Sequence, residues 1–284
     1  MMNSTDRIRH VTDHFSPESD IWRTLDFVIS ADRFLNLGYS PWYGSHLLGY
    51  PQRRLVDYVA DRLDQADRGW DWPLLDVGCG RGGPAARLSE RYGYSVIGID
   101  LVPANIRFAA SHTERAHSPS FAVADATSLP LATDSVGACV SLDAVTYSID
   151  RLTLFSELRR VVRNAGPIVI TDLCVDSMAP RRQIDRFVER WGMSTMVTHD
   201  EYCGLLTEAG LPVTETIDLT PNSVGRFRTW TRLFLELWDT FLGNPIEHVL
   251  QFRDIDPESV LAAVEAAHGA LPHLEHHLFV VSSR

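Results

Sequence analysis

Between Trp72 and Cys174 short apolar runs alternate with amphipathic stretches. The runs Leu74 to Gly78, Ser95 to Asp100, Ser120 to Asp125, Val136 to Leu142 and Pro167 to Asp172 have the length and character of buried strands. Helical spacing occupies Pro84 to Tyr92, Pro103 to Ala116 and Leu152 to Asn164. This alternation predicts an α/β fold, a parallel sheet covered by crossover helices. Pro84 and Pro103 fall in first helical turns, where the missing N–H costs nothing, and Gly166 follows the third helix, where a left-handed stop is needed.

Outside this block the pattern changes. Residues 1–70 read as helices broken at Gly38-Tyr39-Ser40-Pro41, and residues 176–210 and 222–270 are mainly helical. Leu211 to Leu219 and His277 to Val281 read as strands that join the sheet late. The expected organisation is an N-terminal helical cover at 1–70, a ligand-binding core at 71–175, and the rest of the sheet with helical insertions at 176–284.

Composition narrows the function. The 284 residues carry a net charge of −11, which argues against a partner held by phosphate contacts, so no nucleic acid is expected. No apolar run is long enough to span a bilayer, and Met1 to Asp20 lacks the apolar centre of a signal peptide, which predicts a cytoplasmic protein. All 26 basic residues are arginine. Schiff-base chemistry and a lysine-dependent phosphate loop are therefore excluded. Cys79, Cys139, Cys174 and Cys203 are widely spaced, as reduced thiols are, and suggest neither disulfides nor zinc.

Asp76-Val77-Gly78-Cys79-Gly80-Arg81-Gly82-Gly83-Pro84 reads as a strand end, a glycine-rich turn and a helix start. Such a loop brings bare backbone close to a ligand, and alone it suits nicotinamide cofactors as well as other adenosine ligands. Asp100, closing the next strand, can take both hydroxyls of a ribose. At the third strand's end Asp125 can receive an adenine amino group, with Leu129-Pro130 turning over the ring edge.

Taken in order, Asp76-Val77-Gly78-Cys79-Gly80, Gly98-Ile99-Asp100, Ala124-Asp125-Ala126-Thr127-Ser128-Leu129-Pro130 and Ala165-Gly166-Pro167-Ile168 resemble the class I S-adenosylmethionine-dependent methyltransferases. The resemblance implies a Rossmann-like seven-stranded sheet, mostly parallel with an antiparallel last strand. It implies S-adenosyl-L-methionine as cofactor, with its methionine part at Asp76, Gly78 and Gly80, ribose at Asp100 and Leu101, and adenine at Asp125 and Ala126. Leu142, at the end of the fourth strand, is expected beside it. Asn36-Leu37-Gly38-Tyr39-Ser40-Pro41-Trp42 further resembles the segment preceding the core in tocopherol, geranyl-diphosphate, sugar and polyketide methyltransferases. In that group a Gly-Tyr-Trp element lies over the cofactor, which makes Tyr39 a cofactor-contact candidate.

Methyl transfer from a sulfonium needs in-line alignment, exclusion of water and, for a hydroxyl or acidic carbon, removal of a proton. Residues after the fourth strand face the methyl group in this family, which brings forward Asp143 and Tyr147. Related enzymes often carry histidine where this chain has Thr146 and Tyr147. Tyr147 can orient a substrate, act as a base or simply pack the wall; Asp143 can fix backbone or cap a helix. Asp172 ends the fifth strand on the ligand-binding edge, and His199 opens a late helix, where a capping segment is its rival role.

His276 and His277 would point to opposite faces of a strand, so no shared metal is expected. Phe227, Trp230, Phe234, Leu237, Trp238 and Phe241 form one helical face that packs a core or walls an acceptor pocket. The expectation is methyl transfer to oxygen or carbon of a small lipophilic or polyketide-like acceptor. The alternative is a methyltransferase fold that keeps the cofactor without transfer, as a cyclase or scaffold.

Overall fold

The computed structural model describes residues 12–15, 19, 23, 33–41, 50–66, 72–112, 119–240 and 243–282. Seven strands form one sheet in the order β3-β2-β1-β4-β5-β7-β6. They are β1 (Leu74–Val77), β2 (Val96–Asp100), β3 (Ser120–Val123), β4 (Ala138–Leu142), β5 (Pro167–Val175), β6 (Val213–Asp218) and β7 (Leu274–Ser282). The first five are mutually parallel, and β7 runs antiparallel to both β5 and β6. All of β1 and β4 is buried, as expected of strands covered on both faces, whose side chains show no alternation.

Helices cover both faces. On one side α1 (Pro51–Ala66) and α2 (Gly83–Tyr92) pack through Leu55, Val59, Leu63 and Leu88 against Val140, Val169 and Leu278. After α3 (Pro103–Ser111), the opposite face is covered by α4 (Arg151–Val161) and α6 (His199–Glu208), whose Phe155, Leu158, Tyr202 and Leu206 meet Ile168, Ile170 and Phe279. Between these last two lies α5 (Arg181–Arg190), which joins α7 (Val224–Trp238) and α9 (Pro257–Ala270) in a third cluster around Trp191. A further helix, α8 (Gly243–Phe252), leans on α7 and α9 through Leu250.

Element ends differ from the sequence expectation for local reasons. β3 stops at Val123 because the Asp125 side chain bends the following turn, accepting the Thr127 amide at 2.8 Å. Val136 makes only an isolated bridge to Val162, so β4 begins at Ala138. The last strand begins earlier than expected, at Leu274, because it pairs along the whole of β5. No helix among the described residues is long and apolar enough to cross a membrane.

Candidate active site

Strands β1 and β4 are neighbours, yet their crossovers leave toward opposite sides of the sheet, which opens a crevice above their carboxyl ends. The glycine loop lies there. Gly78 and Gly80 adopt φ of 73° and 52°, in the left-handed region. A Cβ on Gly78 would stand 2.2 Å from the Cβ of Ala144, so only bare backbone fits. The Asp100 carboxylate fixes this loop, taking the Gly80 amide at 2.8 Å on one oxygen and the Val102 amide at 2.8 Å on the other. Burial raises its carboxyl, against the pull of those amides and of Asn105. Asp125 commits only Oδ1, to the amide and hydroxyl of Thr127 at 2.8 and 2.7 Å.

Gly78, Gly80, Asp100, Leu101, Asp125, Ala126 and Leu142 all line one cleft of about 860 Å³, counting the space open to solvent. Asp76 lies just behind it on β1 and is not part of the wall. Only 1 % exposed, it has no hydrogen-bond partner within 3.5 Å on either oxygen among the described residues. Burial and the nearby Asp100 push its carboxyl up to about 7, against a weak pull from the Ala85 backbone. An elongated adenosine ligand with a cationic end would fit these groups, with the Asp100 and Asp125 carboxylates accepting from ribose hydroxyls and an adenine amino group, the glycine backbone beside the amino-acid part, and a buried acid behind it.

A second cavity, about 810 Å³ by the same measure, adjoins the first, and Leu35, Asp143 and Tyr147 line both. Its far walls are apolar, supplied by Leu173, Phe187, Trp191, Phe227, Leu271 and Leu274. Asn36, Gln52 and Thr146 add uncharged polar groups. Residues 33–41 form a strap along both cavities. It is stitched by the Gly83 amide to Arg33 O at 3.0 Å, the Ser40 amide to Asn222 O at 3.0 Å and the Arg226 guanidinium to Pro41 O at 2.7 Å. At its centre the Leu37 amide donates to Asp143 Oδ2 at 2.7 Å.

Asp143 is therefore no helix cap. With φ of 55°, it turns its carboxylate inward to receive Leu37, the Thr171 hydroxyl at 2.7 Å and His276 Nε2 at 2.8 Å. Burial pushes this carboxyl up, but attraction to His276 and the bonds from His276, Thr171 and Leu37 outweigh it and hold the group below its ordinary range. His276 is itself fully buried and reaches Ser223 Oγ at 2.8 Å through Nδ1. Tyr147 stands at the junction of the cavities, its ring edge-on to Phe15 at 4.7 Å. Burial, with Asp143 and Asp172 adding to it, drives its phenol well above the ordinary tyrosine range.

Three expected site residues lie elsewhere. Tyr39 stacks on Tyr58 at 4.7 Å and lines neither cavity, because the strap turns at Gly38, φ 79°. Asp172 follows Thr171 on β5 and so points to the other face, beneath α4 and α6. There burial pushes it up to about 7, with Arg151 opposing and Asp143 reinforcing. His199 opens α6 behind a Thr198 and Glu201 capping box, and its ring lies against Thr216, His277 and Phe279.

Of the aromatic helical face, Phe227 reaches the second cavity, whereas Phe234 and Trp238 stack at 5.4 Å over Leu250 and Ile255. Trp42 and Phe241 lie outside the described residues. Sequence reasoning missed His276 as the partner of Asp143. Strand alternation separates His276 from His277, but nothing local points to a carboxylate so distant in the chain.

Residues 75–170 match the family model described as a methyltransferase domain. An O-methyltransferase of Pyrenophora dematioidea is 31% identical over 192 residues, which cover 66% of this chain and 71% of that protein. O-methyltransferase resE of Aspergillus sclerotiorum is 30% identical over 153 residues, covering 52% of this chain and 58% of the relative, so the match spans less than two thirds of its length. The fold of geranyl diphosphate C-methyltransferase from Streptomyces coelicolor A3(2) superposes with a TM-score of 0.73 at 18% identity over 100% of both chains; that enzyme was crystallised with Mg2+, geranyl-S-thiolodiphosphate and S-adenosyl-L-homocysteine. The chain belongs to the class I S-adenosylmethionine-dependent methyltransferases of the small-molecule group, and S-adenosyl-L-methionine is its cofactor.

Proposed function

We propose that the protein transfers a methyl group from S-adenosyl-L-methionine to an oxygen of a neutral, lipophilic small molecule held in the second cavity. The observation that carries this reading is that the two cavities adjoin and share Leu35, Asp143 and Tyr147 in their walls, which sets a donor in one beside an acceptor in the other. The cofactor supplies an electrophilic methyl on its sulfonium; the protein's part is to align the acceptor behind it and exclude water.

No arginine is among the described residues lining the second cavity. A phosphorylated acceptor is thereby disfavoured. Nor does the junction hold a strong base. Tyr147 is a protonated phenol near neutrality and so a hydrogen-bond donor, while Asp143 is a weakly basic carboxylate already engaged by three donors. Such a site suits an acceptor whose hydroxyl is itself acidic, a phenol or enol, and alignment supplies most of the acceleration. The O-methyltransferase relatives support transfer to oxygen.

The test is incubation of the protein with methyl-labelled cofactor and a panel of neutral phenols and enols, followed by mass spectrometry. A mass gain of one methylene on oxygen supports the reading. Binding of both partners with the acceptor recovered unchanged would point instead to a cofactor-holding scaffold.

A further inference from the structure

Asn36 lies in the strap, next to its central residue Leu37, and lines the second cavity. It is 7 % exposed, and neither its amide nitrogen nor its amide oxygen has a hydrogen-bond partner among the described residues. Buried polar side chains in folded proteins nearly always find partners, because an unpaired amide in an apolar site carries its full desolvation penalty. Thr146 turns its hydroxyl toward the Met196 sulfur at 3.6 Å, and Phe34, Leu35 and Leu37 flank Asn36 along the chain. The residue that carries this orphaned amide borders space of ligand size.

We propose that Asn36 is the polar anchor of the acceptor pocket: its carboxamide binds a neutral oxygen group, hydroxyl or carbonyl, on an otherwise apolar ring-shaped acceptor and fixes how that acceptor lies. This inference rests on the methyltransferase reading for the meaning of the second cavity. A carboxamide both donates and accepts, so it recognises either group without charge, in keeping with the uncharged Gln52 and Thr146 and the absence of arginine among the described lining residues. The position within the strap matters as well. Asn36 sits between Leu35, which lines both cavities, and Leu37, whose amide is tied to Asp143. The anchor is therefore in place only when the strap is latched, which couples acceptor recognition to the same carboxylate that borders the cofactor cleft.

The experiment compares two probes of the same shape, 2-naphthol and 2-methylnaphthalene, which differ by a hydroxyl for a methyl. Binding is measured to the full chain saturated with S-adenosylhomocysteine, whose own affinity is read separately by calorimetry. The wild-type protein is expected to prefer 2-naphthol by about tenfold or more, the effect of a well-made hydrogen bond in a dry pocket. Asn36→Leu, nearly equal in volume, removes that preference by weakening 2-naphthol while leaving 2-methylnaphthalene as tight or tighter.

The ligand-free Asn36→Leu protein also melts at a higher temperature, since an orphaned polar group has been replaced by an apolar one. Asn36→Gln, which keeps the chemistry on a longer arm, retains part of the preference. The proposal is overturned if wild type binds the two probes equally or binds neither. It is overturned equally if Asn36→Leu keeps the preference, or if that variant loses both probes together with a lower melting temperature, the mark of a structural role. Failure to bind S-adenosylhomocysteine would remove the methyltransferase reading and leave the Asn36 comparison standing on its own.

Discussion

The Asp143 carboxylate and the His276 imidazole meet at 2.8 Å across 133 positions of chain. Strand β7 thus orients the group that receives the Leu37 amide, and a late residue sets the position of an early strap. Asp143 is held below its ordinary range in the fold, so the stability it confers is fully present above the unfolded value of about 3.9 and is lost as pH falls through the folded pKa. His276→Phe removes one of its donors and lets burial dominate. The variant is expected to lose about 1–3 kcal/mol of stability and to unfold in acid at a higher pH than wild type. Circular dichroism along an acid titration measures both; an unchanged acid midpoint would rule out this coupling.

Gly78→Ala combines a left-handed backbone with a Cβ 2.2 Å from that of Ala144. Backbone strain alone costs about 1–2 kcal/mol, and the overlap adds to it. Cofactor binding by the single variant is expected to be largely lost. The double variant Gly78→Ala with Ala144→Gly removes the overlap and recovers part of the affinity, which calorimetry with S-adenosylhomocysteine reads directly. No recovery would place the damage in the backbone conformation alone.

Asp100 is tied to both the glycine loop and the start of α3 and borders the cofactor cleft. Asp100→Ala should weaken S-adenosylmethionine binding by about 1–3 kcal/mol, by leaving ribose hydroxyls and the Gly80 amide without an acceptor. Asp100→Glu should be milder. Equal affinity in a folded Asp100→Ala protein would remove Asp100 from the ribose site.

Tyr147→Phe and His199→Ala separate position from chemistry. Tyr147 stands at the junction as a donor, so its loss should lower turnover by about tenfold or less without moving the pH profile. His199 packs against Thr216 and Phe279, away from both cavities, and its loss should leave turnover within about a factor of two. Single-turnover transfer across pH at saturating cofactor measures both. A collapse of transfer in either variant, with both partners still bound, would identify that residue as the base.

Much of the sheet is legible in the chain because its evidence is local. The apolar runs of β1, β2, β4 and β5 are continuous, the loop from Gly78 to Gly83 punctuates them, and Asp100 and Asp125 fall at strand ends where the crevice must open. What stays hidden depends on facing. β5 is buried on both faces, so no polarity pattern tells Thr171, which meets Asp143, from Asp172, which turns away beneath α6. Tyr39 sits in a motif that resembles a cofactor cover, yet the left-handed turn at Gly38 sends its ring to Tyr58. Asn36 looks unremarkable in sequence because its distinguishing property is a lack of hydrogen-bond partners among the described residues.

The stitching of the strap has a consequence for synthesis. Residues 33–41 leave the ribosome early, but the groups that hold them come from Gly83, Asp143, Asn222 and Arg226, and the Asp143 clasp is completed by His276 on the final strand. A nascent chain can assemble the parallel half of the sheet before these groups are all present, and the clasp at Asp143 gains its imidazole partner only after residues 274–282 have been made. A polypeptide that ends just before β7 therefore carries the cofactor loop and the other stitches but lacks the His276 that orients the Asp143 clasp.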